Sequence, residues 1–251
     1  MIPALLGSIL GLLIDPRLIT GAPAWLKPAK FAISTSIYCF TLAWIFSKMK
    51  STRLTKLVGW VTGVVLVLEV GVIDLQAGRG VTSHFNVGTA LDATLFSIMG
   101  VAILILWLAA IAVTVALFRQ DFEDPTVGWS LRLGMLIMVF GAGLGGWMTK
   151  PTTPQLEAAH RSHRMPVSGA HTVGAPDGGP GLAFTGWSTE HGDLRVPHFL
   201  GLHAMQILPF LGFLLARARR PPGWIQFAAA CYFGLWAFLT WEALQGRPLG
   251  S

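Results

Sequence analysis

"LDATLFSIMGVAILILWLAAIAVTVALF" runs from Leu91 to Phe118 and holds one ionisable side chain, Asp92. It exceeds the ~20 residues that carry a helix across the hydrocarbon core of a bilayer. Lipid offers no hydrogen bonds to the backbone, so such a segment must satisfy its own, which a helix does. Six more apolar segments lie around it, over about 2–19, 29–47, 55–76, 128–148, 197–216 and 222–243. Ten-residue strands of alternating polarity are missing from the sequence, which argues against a membrane β-barrel. The expected fold is therefore all-α: a polytopic integral membrane bundle of about seven transmembrane helices, one domain over residues 1–251. No basic residue precedes the first run, which argues against a cleaved leader despite the Ala22-Pro23-Ala24 stretch. That run is read as a first membrane helix reaching Ile19.

Composition agrees. The chain is 53% hydrophobic and 12% charged, against roughly 25% charged in soluble domains, and its mean hydropathy is +0.61. The net charge of +6 sits in short clusters between apolar segments, the distribution of a topology signal and not of a nucleic-acid surface. Ten tryptophans suit the membrane–water interface. Cys39 and Cys231 both fall inside apolar runs and imply free thiols, with no disulfide framework.

Basic residues orient the bundle. Lys48, Lys50, Arg53 and Lys56 follow the second segment; Arg217, Arg219 and Arg220 follow the sixth. Both clusters mark the cytoplasmic side, which puts the N-terminus inside. The opposite side receives a long extracytoplasmic loop, about 149–196, between helices 5 and 6. It is rich in Gly, Pro and His and is expected to fold over the bundle. All seven histidines, His84, His160, His163, His171, His191, His198 and His203, fall on that outer side or in the outer part of a helix. The cytoplasmic loops look purely topological, so a site faces outward.

Candidate chemistry follows from that asymmetry. His84, His171, His198 and His203 are candidate metal ligands, since imidazole suits Zn, Cu, Fe and haem. His198 and His203 are five residues apart, about 140° around a helix, so their rings do not share a face. His203 lines up with Gln206. That is not a zinc-protease pair, and a single axial histidine to a haem fits it better. Glu69 and Asp74, inside an apolar helix, are candidate catalytic groups, because an intramembrane carboxyl is costly. Gln76 lies on Glu69's face and Asp74 points elsewhere; Arg79 or Lys30 would be structural partners for Glu69. Lys27, Lys30, Arg79 and Arg195 are candidate cofactor-binding residues for haem propionates, as is Gln206 beside His203; the basic chains equally suit snorkelling to headgroups. Gly141 and Gly145 form a small-xxx-small pair for close helix packing or for a flat cofactor. Glu157-x-x-His160 repeats the ligand unit of di-iron bundles in a single copy. No phosphate-binding loop, covalent haem motif or nucleophile elbow occurs, and the last segment has no lysine for retinal.

The stretches "IDLQAGRGVTSHFN" (73–86) and "VGAPDGGPGLAFTGWSTEHGDLRVPHFLGLHAMQ" (173–206) resemble signatures of a bacterial family of multi-pass membrane proteins. The likeness brings no fold, reaction or ligand with it. A weaker likeness is to the seven-helix zinc hydrolases of the ceramidase and adiponectin-receptor type. These use a Ser and His, an Asp, and a paired His in the last helix. Ser83-His84, Asp92 and His198/His203 match that list, but here the pair sits in the sixth segment.

The functional expectation is a membrane-embedded metalloprotein of the bacterial inner membrane, its centre facing the periplasm or exterior. The expected cofactor is haem b in a membrane oxidoreductase, with the lipid bilayer and a quinone or other lipophilic small molecule as partners. The alternatives are a non-haem Zn, Cu or Fe intramembrane enzyme and a metal-free transporter or receptor with an outward-facing polar pocket.

Overall fold

The computed structural model describes residues 1–50 and 52–250. Twelve elements follow in chain order: α1 (Ile2–Ile14), β1 (Leu18–Ile19), β2 (Ala22–Pro23), α2 (Leu26–Lys48), α3 (Arg53–Arg79), α4 (Ala90–Arg119), α5 (Pro125–Met148), α6 (Thr153–Ser162), β3 (Thr172–Val173), β4 (Gly192–Asp193), α7 (Arg195–Arg217) and α8 (Gly223–Leu244). Six helices, α2, α3, α4, α5, α7 and α8, are long and apolar enough to cross a membrane. Their exposed faces, such as Ile98, Val101 and Ile105 of α4, are apolar, as contact with lipid requires.

The first segment is shorter than its apolar run suggests. It ends at Ile14, not Ile19, because Pro16 pushes Asp15 out of the helical region and into an extended conformation. The chain then turns back as a two-residue hairpin. Thr20 and Gly21 both have positive φ, the tight turn whose twist suits paired strands, and Leu18 and Ile19 pair with Pro23 and Ala22. Thirteen residues make about 20 Å of helix, short of the ~30 Å hydrocarbon core. Arg17 anchors the corner to Asp15 and to the Gly78 carbonyl. Trp25 donates to Asp15 at 2.8 Å, and these donors hold the Asp15 carboxyl well below the usual carboxylate range.

Local signals start and stop the long helices. Thr52 and Thr55 form a reciprocal cap on α3, and Gly80 in the left-handed region closes it. Asp124 caps α5, with Pro125 in its first turn. Arg132, in the second turn of α5, reaches back to the end of α4 and donates to the carbonyls of Leu117 and Gln120. These are orphan acceptors at a helix C-terminus. Gln120 in turn joins Lys48 and Lys50, and Thr126 bonds the Arg220 carbonyl. Both basic clusters therefore sit at one end of the bundle.

The central contact is between α5 and α7. Gly141 and Gly201 face each other so closely that a Cβ on either would overlap the other's backbone. Gly134 lies against the Ala204 carbonyl and Pro209, and Gly212 against Ser130. Small residues let two backbones approach in this way. Around the pair, Leu131, Met135 and Met138 of α5 pack with Met205 of α7, Leu42 and Ile45 of α2 and Val113 and Leu117 of α4.

The long loop is ordered. Thr152 and Gln155 cap α6, and Gln155 also ties down Gly169. Strands β3 and β4 pair, Asn86 bridges Val167, and Lys30 donates to the carbonyls of Phe184 and Thr185. The loop so rests on the end of the bundle opposite the basic clusters.

Gly141→Ala is expected to cost about 1–3 kcal/mol, the usual penalty for overpacking, and to lower the thermal midpoint in detergent. Gly100→Ala, where an added Cβ meets nothing within 4 Å, should leave the midpoint nearly unchanged. Equal midpoints for both variants would contradict this packing.

Candidate functional site

Three histidines from separate segments lie at the end of the bundle where the loop rests. His84 follows α3, His171 precedes β3, and His198 is in the first turn of α7. Aromatic rings surround His84 and His171. Phe85 lies with its ring centre 4.8 Å from that of His171. Phe31 and Phe96 flank His84 at 5.7 and 6.4 Å.

Each ring is oriented through Nδ1. His198 donates from Nδ1 to the Gly141 carbonyl at 2.7 Å. His171 donates from Nδ1 to Asp177 Oδ2 at 2.6 Å. Both acceptors are oxygens without a proton to give, so they fix the tautomer and leave Nε2 with its lone pair. His84 Nδ1 meets the Ser83 hydroxyl at 3.0 Å. Among the described residues the sealed polar side-chain atoms without a partner are Thr62 Oγ1, Glu69 Oε1, Asp74 Oδ1 and Trp236 Nε1. None of the three Nε2 atoms takes a hydrogen bond among the described residues. A histidine held by an oxygen on one nitrogen and free on the other is the usual arrangement of a metal-binding imidazole.

Asp177, within the "PDGGPG" turn, also accepts the backbone N–H groups of His171 and Thr172. Burial opposes its charge. The hydrogen bonds from the His171 ring and from these two N–H groups outweigh burial and hold the carboxyl well below the carboxylate range. Burial pushes the His84 imidazole well below its ordinary range, and Lys27, His171 and His198 act in the same direction. Burial also lowers His171, against the hydrogen bond to Asp177 that raises it.

His203 lies on another face of α7, its ring 4.2 Å from that of Phe199. Gln206 beside it meets Thr41 of α2 at 3.2 Å. Of the four basic candidates, three are taken. Arg79 binds Gln76 and Asp92; Arg195 binds Asp193 and the Gly186 carbonyl; Lys30 holds the loop carbonyls. Lys27 makes no hydrogen bond or ion pair among the described residues, and its ammonium lies 5.9 Å from the Phe31 ring centre. Glu69 is 2% exposed and pairs with neither Arg79 nor Lys30. Gln76 shares its face, as its position seven residues on requires, but bonds Asp92 at 2.9 Å. Glu157 and His160 lie on exposed α6, where Glu157 sits 4.0 Å from Arg161. Gly145 lets the His198 ring lie close: an added Cβ would come 3.3 Å from its Cε1. Among the described residues no group of three or more His, Cys, Asp or Glu is placed to hold a bare metal ion.

Sequence reasoning passed over Ser83, Asp177 and the Gly141 carbonyl as the groups that orient the rings. Asp177 was legible only as an acid six residues from a histidine. A backbone carbonyl has no sequence signal at all.

Because the folded state holds His84 and His171 neutral, stability from these groups is complete above the unfolded imidazole value of about 6.5. It is lost as the pH falls below that value, where the unfolded chain binds more protons. The thermal midpoint should therefore drop on acidification through this range, and His84→Phe should flatten the drop. An equal drop in the variant would place the titration elsewhere. In comparisons with known proteins, no family model matches the chain, and no curated protein and no solved structure is significantly similar to it.

Proposed function

We propose that this is an integral metalloprotein of the bacterial inner membrane, with its histidine end facing the periplasm or exterior, and that the centre is a b-type haem in a membrane oxidoreductase. The observation that supports it is the pairing of fixed tautomers. His171 and His198 commit Nδ1–H to oxygens and keep Nε2 for a ligand. The sidedness follows from the basic clusters at the other end of the bundle.

Haem is preferred over a bare Zn, Cu or Fe ion on ligand count. A bare structural or catalytic ion takes three or four converging protein ligands, and no such group exists among the described residues. A haem iron takes one or two axial imidazoles, which single, separated histidines supply. The aromatic walls around His84 suit a flat apolar group, whereas Gly141 and Gly145 are taken up by Gly201 and the His198 ring. Lys27 is the candidate for a propionate. Bound there, haem would supply one-electron transfer. The chain's own residues would orient the ligand nitrogens through Gly141 and Asp177, exclude water with Phe31, Phe85 and Phe96, and leave the lipid side open to a quinone or another lipophilic reductant or oxidant.

The test is an absorption spectrum of detergent-purified protein from haem-replete cells, before and after dithionite. A Soret band that sharpens and shifts on reduction, with α and β bands appearing, is expected. His198→Ala should lose most of the bound haem while inserting normally, and Asp177→Asn should lose a smaller part. A featureless spectrum from wild-type protein would overturn the haem assignment, and full occupancy in His198→Ala would overturn the ligand.

A further inference from the structure

One face of α3 carries a polar residue every seven positions: Thr55, Thr62, Glu69 and Gln76. All four are buried, at 7%, 3%, 2% and 0% exposure. Seven residues are nearly two turns, so the four lie in one stripe that drifts by about 20° per step along the helix. The line is about 31 Å long at 1.5 Å per residue, which matches the ~30 Å hydrocarbon core.

Its two ends and its middle differ. Thr55 is fully bonded within the cap at Thr52. Gln76 is bonded to Asp92 and Arg79. The middle pair has no protein partner, since Thr62 Oγ1 and Glu69 Oε1 are both sealed and unbonded. This is not the habit of hydroxyls in these helices. Ser8, Thr35, Thr41, Ser97, Thr114 and Thr240 each donate to the carbonyl four residues back. Thr62 does not, so its hydroxyl is left for something outside its own helix.

A carboxyl buried in an apolar bundle is tolerated only as the neutral acid or beside a cation; Glu69 makes no ion pair among the described residues, and Lys27 acts on it only through space. Buried polar atoms left without protein partners are the ordinary positions of internal water. Neighbours in the line are about 10 Å apart along the axis. Long side chains and two or three waters at about 2.8 Å spacing close that distance.

We infer that the buried line Thr55–Thr62–Glu69–Gln76 is a proton path through the bundle, with Glu69 as its protonatable carrier. Glu69 takes a proton from water on one side, forming an O–H bond at a carboxyl oxygen. It releases that proton to water on the other side, so the carboxylate is restored and nothing is oxidised or reduced. Thr62 relays through its hydroxyl on the basic-cluster side. The inference does not rest on the haem proposal, since its flux test needs no bound haem, although Lys27, the propionate candidate, is the cation whose charge reaches Glu69.

The test uses the full-length protein in liposomes of neutral lipid containing a trapped pH dye. A potassium gradient with valinomycin drives protons inward. Acidification faster than in empty liposomes is expected, falling to the empty-liposome rate in Glu69→Gln and partly recovering in Glu69→Asp. Thr62→Val should slow it and removes no charge, so it serves as the second variant if Glu69→Gln elutes as aggregate. Wild-type rates equal to empty liposomes, or unchanged rates in Glu69→Gln or in Thr62→Val, would overturn the path. Flux that follows a sodium gradient and ignores pH would overturn the proton as its cargo.

Discussion

The α5–α7 contact is the constraint on which the rest depends. Helices in lipid gain nothing from hiding apolar surface from one another, so they associate through close packing and hydrogen bonds. Gly141 and Gly201 supply the first by bringing two backbones together. His198 supplies the second by donating to the Gly141 carbonyl. The same contact thus fixes the helix pair and aims the imidazole. Neither role survives a bulkier residue at position 141, because separating the helices withdraws the acceptor from His198.

Around that pair, the outer loop is built from short polar clasps and little apolar core. Asp193 receives Arg195 and the Ser188 N–H, and Asp177 receives His171 with two backbone N–H groups. Gln155 spans Thr152 and Gly169. The bonds to Asp193 and Asp177 are charge-assisted, the stronger class of hydrogen bond, and they supplement a small apolar cluster of Phe85, Met148, Leu194 and Ala243. They also consume the cations. Arg79, Arg195 and Lys30 all serve the architecture, which singles out Lys27 beside the histidines.

The six long helices were legible because a membrane span is a local property of length and apolarity. The end of the first segment was written in Pro16, yet the apolar run to Ile19 masked it. Helix partners are a different matter. The sequence marks Gly141 as a point of close approach but does not say that Gly201 meets it, since that pairing joins segments separated by a whole loop. At the site, residue type pointed to His84, His171 and His198, and the structure places all three at the loop end of the bundle without gathering them as a ligand group. His203 fell on another face, as its five-residue offset required. The orienting groups were hidden because one is a backbone carbonyl and another looked like an ordinary turn acid. Glu69 was conspicuous as a charge in an apolar helix. That it pairs with neither Arg79 nor Lys30 appeared only once both were seen to be engaged elsewhere.

Arg132 has a consequence for how the chain enters the bilayer. Its guanidinium lies in the second turn of α5 and is satisfied by the carbonyls of Leu117 and Gln120 at the end of α4, flanked by the Phe122 and Trp129 rings. An arginine carried into lipid alone is penalised. Once the preceding helix is in place, its terminal acceptors receive that charge within the same short turn. The α4–α5 hairpin thus carries its own acceptors for the charge that α5 brings into the bundle, and it needs nothing from α7 to satisfy that charge.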